Sequence, residues 1–197
     1  KQWANRITEP FSTIKVVVTG TDFDNFFWLR TEMEAVQPEL YVLANKMQEA
    51  YNLSIPKNLS PGHWHLPYVD SCIVDGEQFF FDCTRNNIEE DEALKISASC
   101  CAQVSYRNLD ESLEKALSIF TKLFSGTRPH LSPTEHQGRV MKPARESSLV
   151  ITSMEGVKTC VIHPDAWEEG VTALGRDGKL KSGNLTGFIQ YRQLLPT

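Results

Sequence analysis

Between Asp110 and Phe124 the apolar residues Leu113, Leu117, Phe120 and Phe124 recur at the spacing of one helical face. That period fits an amphipathic helix and not a strand, whose side chains alternate every second residue. Gly126 stands where a C-terminal cap belongs. A second helix is predicted from Pro38, a favoured first helical residue, with Leu40, Leu43, Ala44, Met47, Ala50 and Tyr51 facing inward. Pro56, Pro61 and Gly62 end it. A shorter helix is predicted from Asp22 or Asp24 to Arg30, and another over roughly 90–105 with Cys100 and Cys101 inside it.

The remaining signals belong to strands and turns. Residues 14–19 are rich in β-branched side chains and read as a strand ahead of Gly20. Residues 63–84 alternate apolar runs with turn residues, and residues 148–163 suggest a hairpin-like pair of strands. The Gly-, Lys- and Ser-rich stretch 174–186 reads as a mobile loop, and Gly187 to Leu195 as a closing helix or strand. The sum is an α+β fold with mixed helices and a small sheet, in one domain over residues 1–197.

The formal charge of −5 argues against sequence-independent nucleic-acid binding, which needs clustered Lys and Arg. No apolar run approaches the roughly 20 residues that span a bilayer, and no signal peptide is evident. The expectation is a cytoplasmic protein without a membrane partner. Five cysteines, odd in number and without CxxC spacing, are not a disulfide framework and are expected to be reduced. The chain opens at Lys1 and its first methionine is Met33, so an upstream segment is expected.

Several residues could carry chemistry. Arg30 ends the apolar run Asn25-Phe-Phe-Trp-Leu-Arg30. A half-buried guanidinium needs a carboxylate, a phosphate or a polarised carbonyl, and Glu32, Glu34 or Glu39 could supply the first. In His130-Leu-Ser132-Pro133-Thr134-Glu135-His136 the pattern is a capping box, with Ser132 as N-cap and Glu135 reaching back. A helix start flanked by histidines could also hold an anion such as a cofactor pyrophosphate. His63 and His65 would share one face of an extended segment, but no third ligand lies at a helpful spacing, so no metal site is expected. Cys100 and Cys101 could be nucleophiles, yet their apolar helical setting suits small core residues better.

Taken together, these segments resemble the flavin-dependent thymidylate synthases. Arg6-Ile-x-Glu-Pro10-Phe and Asn25-Phe-Phe-x-Leu-Arg30 are similar to the late part of that family, as is Val36-Gln37-Pro38-Glu39. Ala102-Gln-Val-Ser105-Tyr106 resembles the family's Ala-Arg-Val-Ser-Tyr, and His130-x-Ser132-Pro133-x-Glu135-His136 its His-x-Ser-Pro-Phe-Glu-His. In commoner members these last two come first. Their late position here, with the closing Gly187–Arg192, is similar to permuted phage versions.

The resemblance implies reductive methylation of dUMP with methylenetetrahydrofolate and NADPH through FAD, in a homotetramer with shared active sites. It implies that Arg30 contacts the uracil ring and helps polarise it, and that Arg6 holds dUMP. It assigns Asn25, Ser105, His130, Ser132 and Glu135 to the flavin, the Ser132 helix start facing the phosphates. The family's Arg-His-Arg element, which binds the dUMP phosphate, does not occur between Lys1 and Thr197. It is expected upstream, and catalysis depends on it. Thr19-Gly-Thr21 stands where an Asn-x-Arg flavin contact is common, Gln103 replaces an arginine, and Thr134 replaces a phenylalanine. Two alternatives follow: a non-catalytic nucleotide- or flavin-binding relative, and a phage enzyme making hydroxymethylated pyrimidine.

Overall fold

The computed structural model describes residues 13–104, 108–143, 148–152, 158–162 and 164–196. Its helices are α1 (Asp24–Arg30), α2 (Pro38–Leu53), α3 (Glu90–Ala102) and α4 (Leu113–Phe124). The strands that pair locally are β1 (Asp70–Val74), β2 (Glu77–Phe81), β3 (Asn87–Ile88), β4 (Ser148–Thr152), β5 (Lys158–Ile162), β6 (Ala173–Leu174), β7 (Leu180–Ser182) and β8 (Leu185–Thr186). The mixture is α+β, as the sequence predicts. The chain divides into two compact units: Lys1–Thr19, Trp64–Gly138 and Gln190–Thr197 form one, Gly20–His63 and Arg139–Ile189 the other. Among the described residues no helix is long and apolar enough to cross a membrane.

In the first unit, β1 and β2 pair antiparallel with Val74 opposite Glu77, leaving a two-residue turn of Asp75 (φ 50°) and Gly76 (φ 83°). Positive φ at both positions matches the right-handed twist of the flanking strands, hence Asp-Gly. Phe80 opposite Ile88 brings in β3. The Gln78 side chain then acts as a strand substitute. Its Oε1 accepts the Trp64 N–H at 2.7 Å and its Nε2 donates to the Trp64 carbonyl at 2.8 Å.

Helix α3 is the buried spine of this unit. Glu89 and Glu92 form a capping box, and Glu90, Asp91 and Glu92 complement the helix dipole. Ala93, Leu94, Ile96 and Cys100 pack with Trp64, Leu66, Phe80, Ala116 and Tyr191 in one core. Burying a side chain such as Leu94 or Ile96 contributes about 1.5–3 kcal/mol. Helix α4 begins later than Asp110 because Ser112 is its cap, accepting from the Lys115 N–H at 3.3 Å. Asp110 in turn accepts from the Ser112 N–H and hydroxyl. These hydrogen bonds hold the Asp110 carboxyl below its ordinary range. Leu113 and Phe120 reach the core, whereas Leu117 is 45% exposed. The helix ends on Ser125 in the right-handed region, so the cap expected at Gly126 is not used.

Residues 14–19 are not a strand. No ladder forms there, and Ile14, Val16 and Val18 are 79%, 67% and 63% exposed. β-Branched propensity reflects the fit to a pleated, half-covered surface, and none of the described residues supplies that surface here.

In the second unit α1 and α2 pack through Phe23, Phe27 and Tyr51, whose rings lie 5.6–6.4 Å apart. Of the stripe expected to face inward along α2, Ala44 alone is fully buried, and Leu43 is 55% exposed. β4 and β5 form the expected hairpin, with Val150 opposite Cys160. The stretch expected to be a mobile loop is instead a small meander of β6, β7 and β8, with Leu174 opposite Leu180 and Leu185 opposite Ser182. Its glycines supply turns. Gly178 (φ 76°) donates to the Gly175 carbonyl, and Gly183 (φ 57°) joins β7 to β8. The closing segment is a short strand, Phe188–Gln190, then a single 3-10 turn, Tyr191–Leu194.

Candidate functional site

Asn25 and Arg30 both lie on α1, in the second unit. Five residues apart, they project from different sides of the helix. Asn25 is exposed. Arg30 is half-buried and shares a side with Phe26 and Phe27, four and three positions earlier. Its place in the last turn complements the negative end of the helix dipole. Among the described residues no ion pair engages Arg30, so the sequence neighbours Glu32, Glu34 and Glu39 leave it unneutralised.

At the opposite end of α1 is a cavity of about 510 Å³ that sequence reasoning missed. Phe23, Tyr51 and Phe188 give it aromatic walls, Asp22 and Asp24 two carboxylates, and Thr21 a hydroxyl that accepts the Thr186 N–H at 2.8 Å. Such walls suit a flat heteroaromatic ring with donor groups. The carboxylates disfavour a phosphate. The signal in the sequence is the turn-prone Gly20, between the residues expected to form a strand and the expected helix start at Asp22 or Asp24.

His130, Ser132 and Glu135 lie in one segment of the first unit. The capping box expected there is absent. Ser132–Glu135 is one 3-10 turn whose N-cap is Leu131, with no side-chain cap bond. The buried pair Leu131 and Thr134 fixes this turn, the Thr134 hydroxyl donating to the Leu131 carbonyl at 2.6 Å. Glu135 turns away, its carboxylate pairing with Arg192 at 3.2 Å. A four-residue turn lacks the aligned peptides of a helix N-terminus, so the anion site expected at Ser132 has no basis in the backbone. His130 and Ser132 are exposed.

His136 is half-buried, with Nδ1 3.0 Å from the Thr19 hydroxyl. Burial pushes its pKa below the ordinary histidine value, and Glu135 opposes the shift in part. Gln103, where the family has arginine, is buried and donates to the Ser99 hydroxyl at 3.1 Å and the Asp110 carbonyl at 3.0 Å. Arg6 and Ser105 lie outside the described residues. In comparisons with known proteins, no family model matches the chain, and no curated protein or solved structure similar to it is found.

The other candidates are structural in what they touch. His63 is buried, its Nδ1 accepting the Ser60 N–H at 3.1 Å, while His65 is exposed. Among the described residues no group of three His, Cys, Asp or Glu is placed to hold a metal. Cys100 and Cys101 are buried and their thiols are pushed up to about 12, chiefly by burial. They are protonated core residues at neutral pH.

Proposed function

We propose that the chain is part of a flavin-dependent thymidylate synthase of the rearranged phage kind, converting dUMP to dTMP with methylenetetrahydrofolate and NADPH through FAD. The observation that carries this reading is Arg30. It ends the Asn25-Phe-Phe-Trp-Leu-Arg30 element, is half-buried, and forms no ion pair among the described residues. A guanidinium so placed offers paired donors to the N3 and O2 edge of uracil. Fixed positive charge there stabilises the negative charge that develops as C5 attacks.

FAD, when bound, would supply the reducing hydride. The described residues fit its ring system better than its phosphates: the aromatic walls at Phe23, Tyr51 and Phe188 suit a flat ring, and Asn25, next in sequence to the lining residue Asp24, is exposed. His130 and Ser132 present open polar groups but no helix N-terminus. A homotetramer is part of the same reading, supported by the apolar surface left open on α1 and α2. Trp28 is 74% and Leu53 77% exposed.

A non-catalytic relative is favoured by one observation, the burial of Gln103 where the family has an arginine. The full-length protein decides between them. It should purify yellow or take up added FAD, and should convert dUMP and labelled methylenetetrahydrofolate to dTMP when NADPH is present. Arg30→Lys, which keeps charge but loses the planar fork, should lower turnover at least about 100-fold with the flavin retained. A colourless protein that binds no FAD overturns the assignment. A hydroxymethylated product would move it to the sibling reaction.

A further inference from the structure

The second unit holds another cleft, of about 270 Å³, lined by residues between Met141 and Leu180. Met141, Pro143, Trp167, Val171 and Leu180 give it mostly apolar walls, with Lys142 at its lining. It is held by bonds that need no ligand. Glu168 Oε1 accepts from Arg139 Nη2 at 2.9 Å and Oε2 from the Lys142 N–H at 2.8 Å, fastening the Trp167 segment to the chain at 139–142. On the other wall the Thr172 N–H donates to the Lys181 carbonyl at 2.8 Å, and the Ser182 hydroxyl donates to the Gly170 carbonyl. A cleft shaped in advance loses little ordering entropy when it is filled.

Its charged lining residues are Lys142, Asp165 and Glu168. The Glu168 carboxylate is neutralised by Arg139 and by a backbone donor, and Asp165 is already engaged within the chain. The Lys142 ammonium forms no ion pair among the described residues. An indole wall with a thioether and aliphatic groups, beside one unneutralised cation, favours a flat apolar body bearing one negative group.

We propose that this cleft binds a small aromatic carboxylate, its ring against Trp167 and Met141 and its acid group on Lys142. The site is independent of Arg30 and does not rest on the synthase reading. The test titrates 1-naphthoate into the full-length protein by calorimetry, with saturation-transfer NMR to report ring contact, and uses uncharged 1-naphthalenemethanol as control. Saturable naphthoate binding should weaken about tenfold or more in Lys142→Met, while the alcohol binds both proteins alike. Val171→Trp, which fills the cleft, should abolish both. The proposal fails if naphthoate does not saturate, if Lys142→Met leaves its affinity unchanged, or if Val171→Trp binds it normally.

Discussion

The carboxylate of Glu135 meets the guanidinium of Arg192 at 3.2 Å, and around that pair the chain ties two distant segments together. Gln190 Nε2 donates to the Glu135 carbonyl at 2.9 Å, and the Tyr191 N–H donates to the Gln137 carbonyl at 3.0 Å. The ion pair is 35% and 43% exposed, whereas Gln190 is buried. Exposed pairs contribute about 0–1 kcal/mol, and a buried acceptor left unmade costs about 1–3 kcal/mol. Glu135→Gln should therefore shift urea-unfolding stability by less than about 1 kcal/mol, and Gln190→Ala should cost about 1–3 kcal/mol. The reverse ranking would show that charge, not the buried amide, holds the segment.

His136 predicts a loss of stability in mild acid. Its folded pKa lies below the ordinary 6.5, chiefly through burial. The unfolded chain therefore binds a proton first as pH falls, and stability present above 6.5 is lost below it. Thermal melts from pH 7.5 to about 5 should show this slope, and His136→Gln should flatten it. A variant whose melting temperature falls just as steeply with acid would assign the effect to other groups.

The thiols make the opposite prediction at high pH. Cys100 and Cys101 are raised from 9.0 to about 12, so the folded state holds protons that the unfolded state releases. Their contribution is complete below about 9 and is lost as pH rises toward 12. At neutral pH a thiol reagent should label exposed Cys72 and Cys83 and spare Cys100 and Cys101 until denaturant is added. Peptide mapping reads this directly. Early labelling at position 100 or 101 would show that α3 opens locally.

What could be read from sequence was local chemistry. Pro38 opened α2, Asp24–Arg30 formed α1, and the Cys100–Cys101 pair was buried in α3. Each depended on a backbone or period rule that needs few distant partners. The failures depended on context. Residues 14–19 had the composition of a strand but no neighbour to pair with among the described residues, and the Gly-rich 174–186 stretch placed its glycines at turns. Ser132, Pro133 and Glu135 spelled a capping box, but buried Thr134 and Leu131 and the distant Arg192 drew the same residues into a 3-10 turn. The aromatic cavity joins Phe23, Tyr51 and Phe188, a grouping no linear pattern reports.

Helix α4 gives the sharpest separation of pattern from packing. The apolar period puts Leu117 beside Leu113 and Phe120, yet Ala116 is the residue at 1% exposure, while Leu117 is 45% exposed. Ala116 belongs to the core that α3 contributes through Ala93 and Ile96, and its small side chain is what lets the elements approach. Ala116→Leu must force those neighbours apart and should destabilise by about 1–3 kcal/mol. Leu117→Glu keeps good helix propensity on a face with solvent access and should cost less than about 1 kcal/mol. Urea unfolding of the two variants side by side measures the difference. If Leu117→Glu proves the more damaging, its face is covered in solution by something beyond this chain, and sedimentation of the wild type should then show an assembly that the variant loses.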